Sequence, residues 1–158
     1  MISIEFNDAE IQAALSNLVS GLTDMSPVMN DIGIALVAST EARFDATQAP
    51  DGSPWAARSE VTLAKYAREG GSFGPVLHRS GTLRSFIHHA YGPDQVTVGS
   101  NTLWAAVQQF GAAKGSLGPA SPWGNIPARP YIGLSDSDRT GVLDIVGEWL
   151  ERVAAGAA

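Results

Sequence analysis

The sequence predicts an α+β fold in which a small antiparallel sheet packs against an N-terminal helical hairpin and a long C-terminal helix. Apolar residues recur at helical spacing near both ends of the chain. Between them, two short runs rich in valine, isoleucine and aromatic residues flank a Gly-Pro-Asp turn, which is typical of a β-hairpin. A chain of 158 residues fits a single domain with a sizeable core.

Two helices are expected to open the chain. Residues 8–22 have an amphipathic pattern that Asn7 or Asp8 can cap. Five apolar side chains fall on one face of this helix: Ile11, Leu15, Leu18, Val19 and Leu22. A turn ends it, and a second helix is predicted over residues 27–44 because Pro27 suits a first helical turn.

Turns divide the middle of the chain. Residues 45–54 contain Ala-Pro-Asp-Gly-Ser-Pro, a dense turn signal, and Trp55 follows where an aromatic ring often fixes a loop to the core. A third short helix is predicted over residues 59–68 with Ser59 as its cap. The β-hairpin is expected over about residues 86–98.

The last third of the chain alternates regular and irregular segments. Residues 104–110 form a short apolar helix that stops at a glycine. The following residues, 112–125, are rich in Gly, Ser and Pro and are expected to form a flexible arm. A third strand is predicted over about residues 129–134.

A long C-terminal helix is the most regular predicted element. Ser135 or Ser137 can cap it, and acidic residues follow where the helix dipole favours negative charge. Its broad apolar stripe consists of Val142, Ile145, Val146, Trp149, Leu150 and Val153. Residues 154–158 are expected to fray, and the whole chain to form one domain.

The composition excludes several kinds of site and argues against a membrane or secreted protein. The absence of cysteine excludes disulfides and thiolate metal sites. No apolar run approaches the ~18 residues needed to span a bilayer, and the first residues lack the positive region of a signal peptide. We therefore expect a soluble protein made in the cytoplasm, with no membrane partner.

Charge is distributed unevenly around a net value of −6. Residues 1–52 carry eight acidic side chains and one basic side chain, whereas residues 53–130 carry seven basic and three acidic side chains. Residues 131–158 are acidic again. This distribution disfavours nucleic-acid binding by the whole surface but allows a local basic patch. A simple scatter of charges over the surface fits the sequence equally well.

The sequence predicts no catalytic residue, cofactor site or metal site. His88 and His89 are adjacent in a predicted strand, so they point to opposite faces and cannot hold one ion together. Lys114-Gly-Ser reverses the Gly-Lys-Ser order of a phosphate-binding loop. Ser80 does not lie in a Gly-x-Ser-x-Gly elbow.

The predicted arm contains the best candidates for contacts with a subunit or partner. Trp123 lies between Pro and Gly, so its ring either folds back on the domain or meets another chain. Lys114 and Asn125 belong to the same arm, and the glycine-rich loop 70–75 is a further candidate. Arg129, between Ala and Pro, can donate to carbonyls or to a neighbour's carboxylate.

Six short motifs occur in a specific order: Asp-Gly-Ser-Pro-Trp at 51–55, Thr-Leu-Ala-Lys at 62–65, Leu-x-x-Ser-Gly-x-Leu at 77–83, Val-Gly-Ser-Asn at 98–101, Gln-x-Phe-Gly at 108–111 and Ile-Pro-Ala-Arg-Pro-Tyr-Ile-Gly-Leu at 126–134. In this order and spacing, from about Phe44 to the C-terminus, the chain resembles the virion morphogenesis proteins of tailed bacteriophages, the tail-completion proteins of Mu-like and related phages. The family usually has Tyr where Trp104 stands. The residues that carry the resemblance and are expected to anchor the fold are Gly52, Trp55, Thr62, Ser80, Gly81, Leu83, Gly99, Gln108, Phe110, Gly111, Pro127, Arg129, Pro130 and Gly133.

The resemblance implies a structural protein of the head–tail junction. Such a protein completes the tail and helps to join it to the head, as a homo-oligomeric, sixfold ring. The implied partners are other copies of the chain, the tail tube protein, neck or connector proteins, and double-stranded DNA passing through the lumen. The implied location is the tail–neck region of the virion, with assembly in the host cytoplasm. The basic residues expected near the lumen are Arg79, Arg84 and Lys114.

Three alternatives stay open. The first is another neck ring, such as a connector or stopper that faces the head. The second is a non-phage protein-binding module with a small sheet and flanking helices. The third is an enzyme such as a hydrolase, although no motif above supports one.

Overall fold

The computed structural model describes residues 8–70, 74–119 and 124–156. Over these residues the chain forms six helices and two strands: α1 Ala9–Thr23, α2 Ser26–Ala46, α3 Glu60–Glu69, α4 Thr82–Ser85, β1 Ile87–Tyr91, β2 Val96–Ser100, α5 Ala105–Phe110 and α6 Asp136–Ala154. The predicted α+β class is confirmed. Among these described helices, none is long and apolar enough to cross a membrane.

Local capping chemistry explains where several helices begin. The Ser59 hydroxyl accepts a hydrogen bond from the Thr62 backbone N–H at 3.3 Å, which caps α3. Ser135 and Asp138 form a reciprocal capping box at the start of α6. Pro27 lies in the first turn of α2, where its missing N–H costs nothing. These three helix starts agree with the predictions.

Helix α2 lies between α6 and the sheet, and α1 packs mainly against α6 rather than forming a paired hairpin with α2. Two glycines permit the close approaches. A Cβ atom at Gly21 would lie 2.6 Å from Cγ1 of Val153, so α1 can cross α6 closely. A Cβ atom at Gly33 would overlap the ring of His89, so α2 can lie directly on β1.

The sheet is a single antiparallel hairpin. Strands β1 and β2 pair from Ile87 opposite Ser100 to Tyr91 opposite Val96. The turn between them closes with a hydrogen bond from the Gly92 N–H to the carbonyl oxygen of Gln95, at 2.8 Å. The hairpin therefore forms where the sequence predicts it.

The predicted third strand at 129–134 is wrong, because the sheet of the described residues has two strands. Pro130, within this segment, has no backbone N–H for a ladder. The N–H groups of Tyr131 and Ile132 donate instead to the side-chain oxygen of Gln109, at 3.0 and 3.1 Å. A glutamine side chain thus takes the place of a neighbouring strand.

The buried residues form two clusters at opposite ends of α2. The Tyr131 cluster consists of Phe44, Ala49, Trp55, Ile87 and Tyr131. The Trp149 cluster consists of Val28, Ile32, Trp149 and Val153. Since α2 has 21 residues, it is about 31 Å long. Val28 and Ile32 in its N-terminal half belong to the Trp149 cluster, and Phe44 near its C-terminal end belongs to the Tyr131 cluster.

Candidate assembly surfaces and the motif residues

Several motif residues converge on Tyr131, which is fully buried. The indole N–H of Trp55 donates to the carbonyl oxygen of Pro130 at 2.7 Å. Phe44 lies between the two rings, with its centroid 5.3 Å from that of Trp55 and 5.4 Å from that of Tyr131. Trp55 therefore fixes the preceding turn to the core, as the sequence predicts.

Arg129 is buried and joins two segments through carbonyl groups. Its Nε donates to the oxygen of Ala56 at 2.7 Å and its Nη2 to that of Ala57 at 2.9 Å. Within the described ranges, no carboxylate forms an ion pair with it. Burial, followed by the nearby charge of Arg58, lowers the pKa of Arg129. Of the two roles predicted for this guanidinium, carbonyl donation is the one realised within the chain.

Two neighbouring glutamines of α5 have different roles. The predicted anchor Gln108 accepts a hydrogen bond from the Arg129 N–H through its backbone oxygen, at 2.8 Å. Its side-chain Oε1 is buried and has no hydrogen-bond partner among the described residues. Gln109, which the sequence analysis missed, donates to the oxygen of Ile132 at 2.8 Å and accepts from the N–H groups of Tyr131 and Ile132. Its side chain thus holds α5 to the motif segment.

Two motif glycines permit close backbone packing. A Cβ atom at Gly111 would lie 2.7 Å from the oxygen of Ile126 and 2.8 Å from the nitrogen of Ala128. Gly111 also has φ 74° and ψ 179°, a conformation that only glycine adopts readily. A Cβ atom at Gly133 would lie 2.7 Å from Cγ of Pro50. Any larger residue at either position would push these segments apart.

Other motif residues shape local turns and caps. Gly52 and Gly81 have φ values of 80° and 74°, within a turn and just before α4. Thr62 completes the cap of α3, and the Ser80 hydroxyl accepts from the N–H of Thr82 at the start of α4. Leu83 packs against the Tyr131 cluster. In the structure these positions form turns, a helix cap and a core contact.

Three motif residues have neither a core contact nor a role in a turn or helix cap that the structure shows. Gly99 lies in β2, and a Cβ atom there would meet nothing within 4 Å. Pro127 is exposed. Phe110, expected as an anchor, also points its ring into solvent. Burial in this chain therefore does not explain why these three residues belong to the motif.

A buried ion pair joins α2 to the start of α6. Arg43 pairs with Asp138, and Ser39 donates to the same carboxylate. Arg43 also donates to the carbonyl oxygen of Tyr131 at 2.9 Å. Burial alone would raise the pKa of Asp138, but hydrogen bonds from Ser39 and Ser135 and the charge of Arg43 outweigh it and lower the pKa. The sequence analysis assigned the first-turn acids of α6 to the helix dipole and missed this pair.

A shallow groove of about 870 Å³ lies beside this ion pair, between the end of α2, the turn at 48–53 and the start of α6. Its wall combines charged side chains, among them Asp51, Asp136 and Arg139, with apolar ones such as Pro50 and Leu134. Hydrogen bonds from the Ser53 hydroxyl and backbone lower the pKa of Asp51, as in a turn cap. The groove can donate and accept hydrogen bonds but does not enclose a small molecule.

The histidines of the hairpin have structural partners. His88 and His89 lie on opposite faces, as the sequence predicts, with His88 exposed and its Nδ1 3.2 Å from the oxygen of Phe86. The Nε2 atom of His89 lies 3.0 Å from Oδ1 of Asn30. Across residues 8–70, 74–119 and 124–156, no group of three or more histidine, cysteine or acidic residues is placed to hold a metal ion.

The base of the predicted arm is closed by a β-bridge. Ala112 and Ile126 exchange backbone hydrogen bonds at 2.9 and 2.8 Å. The backbone N–H of Lys114 donates to Oδ1 of Asn125 at 2.9 Å. Two of the three candidate contact residues therefore face each other across the base. The third, Trp123, lies outside the described residues.

The three candidate lumen residues lie on separate elements. Arg79 pairs with Glu69 at 3.3 Å and Arg84 pairs with Asp45 at 2.6 Å. Lys114 is exposed, and no carboxylate of the described residues pairs with its ammonium group. Of the three cations, Lys114 is therefore the one whose charge is not balanced by an ion pair within the described residues.

Two groups of large apolar side chains are exposed, which the sequence analysis did not predict. The first, called the α1 stripe here, consists of Ile11, Leu15, Val19 and Leu22. The second, called the α5 patch, consists of Leu103, Trp104 and Phe110. Of the apolar face predicted on the first helix, Leu18 packs against the Trp149 cluster. Periodicity locates an apolar face but does not say whether it meets its own chain or another.

Comparison with known proteins assigns the chain to a family. A putative capsid assembly protein G of Escherichia phage Mu is 34% identical over 159 residues, which covers 98% of this chain and 97% of the Mu protein. A Mu-like prophage FluMu G protein 2 of Haemophilus influenzae is 26% identical over 152 residues, covering 96% and 97% of the two chains. No solved structure matches. The model of the phage virion morphogenesis family matches residues 6–151, and the chain therefore belongs to that family.

Proposed function

We propose that this protein completes the phage tail at the head–tail junction, where copies of it form a ring. Membership of the virion morphogenesis family supports a structural role in building the particle. The observation that favours a ring is the presence of two separate exposed apolar surfaces, the α1 stripe and the α5 patch. Apolar side chains left exposed along one face of a helix, as in the α1 stripe, often mark a surface that another chain covers.

A structural role also agrees with the chemistry of the described residues. The acidic groups with a shifted pKa, Asp24, Asp51 and Asp138, all have it lowered. A general acid at neutral pH requires the opposite shift. The most strongly constrained residues, such as Gln109 and Arg129, hold segments of the chain together through backbone groups. We infer that this protein acts by assembly rather than by catalysis.

The proposed ring is sixfold and belongs to the tail–neck region of the virion. Its proposed partners are the tail tube protein on one face, neck or connector proteins on the other, and double-stranded DNA in the lumen. Lys114 is the candidate most suited to DNA, since a free ammonium group attracts phosphate more effectively than a paired one. If Lys114→Gln, Arg79→Gln and Arg84→Gln together leave DNA retention and ejection unchanged, these residues do not face the DNA.

Deletion of the gene from a phage that carries it tests the main proposal. We expect DNA-filled heads of normal size to accumulate beside unjoined tails of irregular length. Adding the purified protein to such a lysate should restore joined particles. Cryo-electron microscopy of the complete virion should then show a ring of this chain at the head-proximal end of the tail. Joined, infectious particles from the deletion strain would contradict the proposal.

A second candidate is a role on the head side of the junction. It is favoured by the name of the Mu relative, which refers to capsid assembly. In that case the same deletion should give defective or empty heads and normal free tails. The state of the heads therefore separates the two candidates in one experiment.

A further inference from the structure

The α1 stripe is an apolar helix face that its own chain leaves uncovered. Ile11, Leu15, Val19 and Leu22 are 63%, 57%, 68% and 54% exposed. They recur at intervals of four, four and three residues, so they line one side of α1 over about 16 Å. Leu18 lies at the edge of the same face and packs against the Trp149 cluster. The stripe thus continues outward from the side of α1 that packs on the body.

The α5 patch is a second uncovered surface, on another part of the molecule. Leu103, Trp104 and Phe110 are 82%, 62% and 77% exposed. Helix α5 is fixed to the body by Gln109 and by a hydrogen bond from the Tyr131 hydroxyl to the oxygen of Ala105. Aromatic side chains presented by a fixed element are typical anchors of protein interfaces.

The two surfaces lie toward opposite ends of α2. Helix α1 contributes Leu18 to the Trp149 cluster, which uses the N-terminal half of α2 through Val28 and Ile32. Helix α5 is attached through Tyr131 to the other cluster, which uses the C-terminal end of α2 through Phe44. One copy therefore cannot cover its own stripe with its own patch.

The charged side chains in and next to the two elements differ in sign. Helix α1 carries one charged side chain, Glu10, and Asp8 and Asp24 flank it. Residues 95–119, which include α5, contain one charged side chain, the lysine at 114. Two copies that met stripe to stripe would bring two sets of carboxylates together, and that repulsion disfavours a twofold contact. Contact between stripe and patch brings carboxylates toward an ammonium group.

We infer that the α1 stripe of one copy docks on the α5 patch of the next copy. This inference rests on the proposed ring function. The contact joins two different surfaces, so each copy offers a stripe to one neighbour and a patch to the other. Such head-to-tail association closes into a ring when the rotation between neighbours is a whole fraction of a turn. The stripe and the patch thus supply the contact that a cyclic assembly requires.

Cross-linking tests the contact directly, because the chain has no cysteine of its own. Gln12→Cys and Ala106→Cys place thiols beside the stripe and the patch at exposed positions, without removing an apolar side chain. A short bis-maleimide linker is applied to assembled particles that carry these variants. The double variant should give a ladder of products up to the copy number of the ring, and each single variant should remain monomeric. Glu60→Cys, exposed on α3, replaces Ala106→Cys in the control pair and should give no ladder.

The outcomes separate this inference from the proposed function. A dimer from Gln12→Cys alone means that stripe meets stripe, and a product with another virion protein means that the stripe has a different partner. Either result overturns the inference. A ring seen by electron microscopy without a cross-linked ladder overturns the stripe-to-patch contact but leaves the ring function standing. Particles without any ring of this chain overturn both.

A charge placed on the stripe gives an independent test. Val19→Glu puts a carboxylate in the proposed contact, and Val61→Glu makes the same change at a valine of α3 that is also exposed. Both variants should fold, with unchanged circular dichroism and thermal midpoints, because neither valine is buried. We expect Val19→Glu to reduce joined particles at least about tenfold, and Val61→Glu to leave them near wild type. Equal particle yields from the two variants would overturn the inference.

Discussion

Arg43 and Asp138 form an ion pair buried between the C-terminal end of α2 and the first turn of α6. Ninety-five positions separate the two residues in sequence. Ser39 also donates to the carboxylate, and Asp138 accepts the backbone N–H of Ser135, so one acidic group closes a helix cap and a core contact together. Tyr131 joins the same network by accepting from Arg43.

Breaking this pair should destabilise the protein strongly. Asp138→Asn leaves the guanidinium of Arg43 buried without its countercharge, which costs about 3–5 kcal/mol of the free energy of unfolding. Asp136→Asn is the matched control, because it removes an exposed acid from the same helix turn and should cost about 0.3–1 kcal/mol. Urea denaturation measures both. Equal losses in the two variants would contradict a special role for the buried pair.

The same carboxylate should make stability depend on pH. Its pKa in the folded state lies below the ordinary value of 3.8, so the folded state favours the ionised form. This stabilisation is complete above the ordinary pKa and is lost as the pH falls through the lowered one. The difference in unfolding free energy between wild type and Asp138→Asn should therefore be constant above about pH 5 and shrink below it. A constant difference down to pH 2 would contradict the lowered pKa.

Neighbouring glutamines should respond differently to the same substitution. Gln109→Met removes three hydrogen bonds and leaves the N–H groups of Tyr131 and Ile132 without their acceptor, so we expect a loss of about 2–4 kcal/mol. Gln108→Met removes a buried oxygen that has no hydrogen-bond partner in the described part of the chain, so it should be neutral or stabilising. Chemical denaturation of both variants measures the change in the free energy of unfolding. A reversed order would mean that the roles of the two residues are exchanged.

Two glycines with positive φ allow the cost of steric crowding to be distinguished from the cost of an unfavourable backbone conformation. Gly115→Ala, at φ 83° with nothing within 4 Å of the added Cβ, should cost about 1 kcal/mol. Gly111→Ala has the same kind of backbone and also drives its Cβ into the oxygen of Ile126, so we expect a loss of about 2–4 kcal/mol. Thermal unfolding measures the difference. Similar midpoints for both variants would show that the segment around Ile126 yields without cost.

The tip of the arm should be dispensable for folding and required for assembly. A Gly–Ser linker in place of residues 115–124 keeps the bridge between Ala112 and Ile126 and the contact between Lys114 and Asn125. The thermal midpoint should therefore stay within a few degrees of wild type, whereas particle completion should fail because Trp123 is lost. A linker of the same length with Trp at the original position is the control. Full particle yield from the plain linker would remove the arm from the list of contacts.

Elements that depend on neighbouring residues could be predicted from the sequence. Ser59 caps α3, Ser135 caps α6, and the turn after Tyr91 closes the hairpin. In each case the donor and acceptor lie within a few positions of each other, so local chemistry decides the outcome. The burial of Trp55 was also predicted, because a large apolar ring directly after a tight turn lies close to the core and is stabilised by packing on it.

Contacts between distant segments could not be predicted. The segment at 129–134 has strand-like composition, but its partner is the side chain of Gln109 rather than another strand. Both glutamines of α5 fit the helical pattern, and only the rotation of that helix against the segment determines which one turns inward. The pairing of Arg43 with Asp138 has the same cause, since it depends on where α2 meets α6.

The sequence alone was enough to predict the α+β class, the positions of the helices and the hairpin, and a resemblance in motif order that the family comparison confirms. Its amphipathic patterns, caps and turns act over a few residues, where the chain has few conformations to choose from. Which apolar faces are covered depends on how the helices pack against each other, and the sequence pattern does not show this. Helix α1 turns Leu18 toward the core and leaves the α1 stripe in solvent, because the close crossing at Gly21 fixes the side of the helix that meets α6.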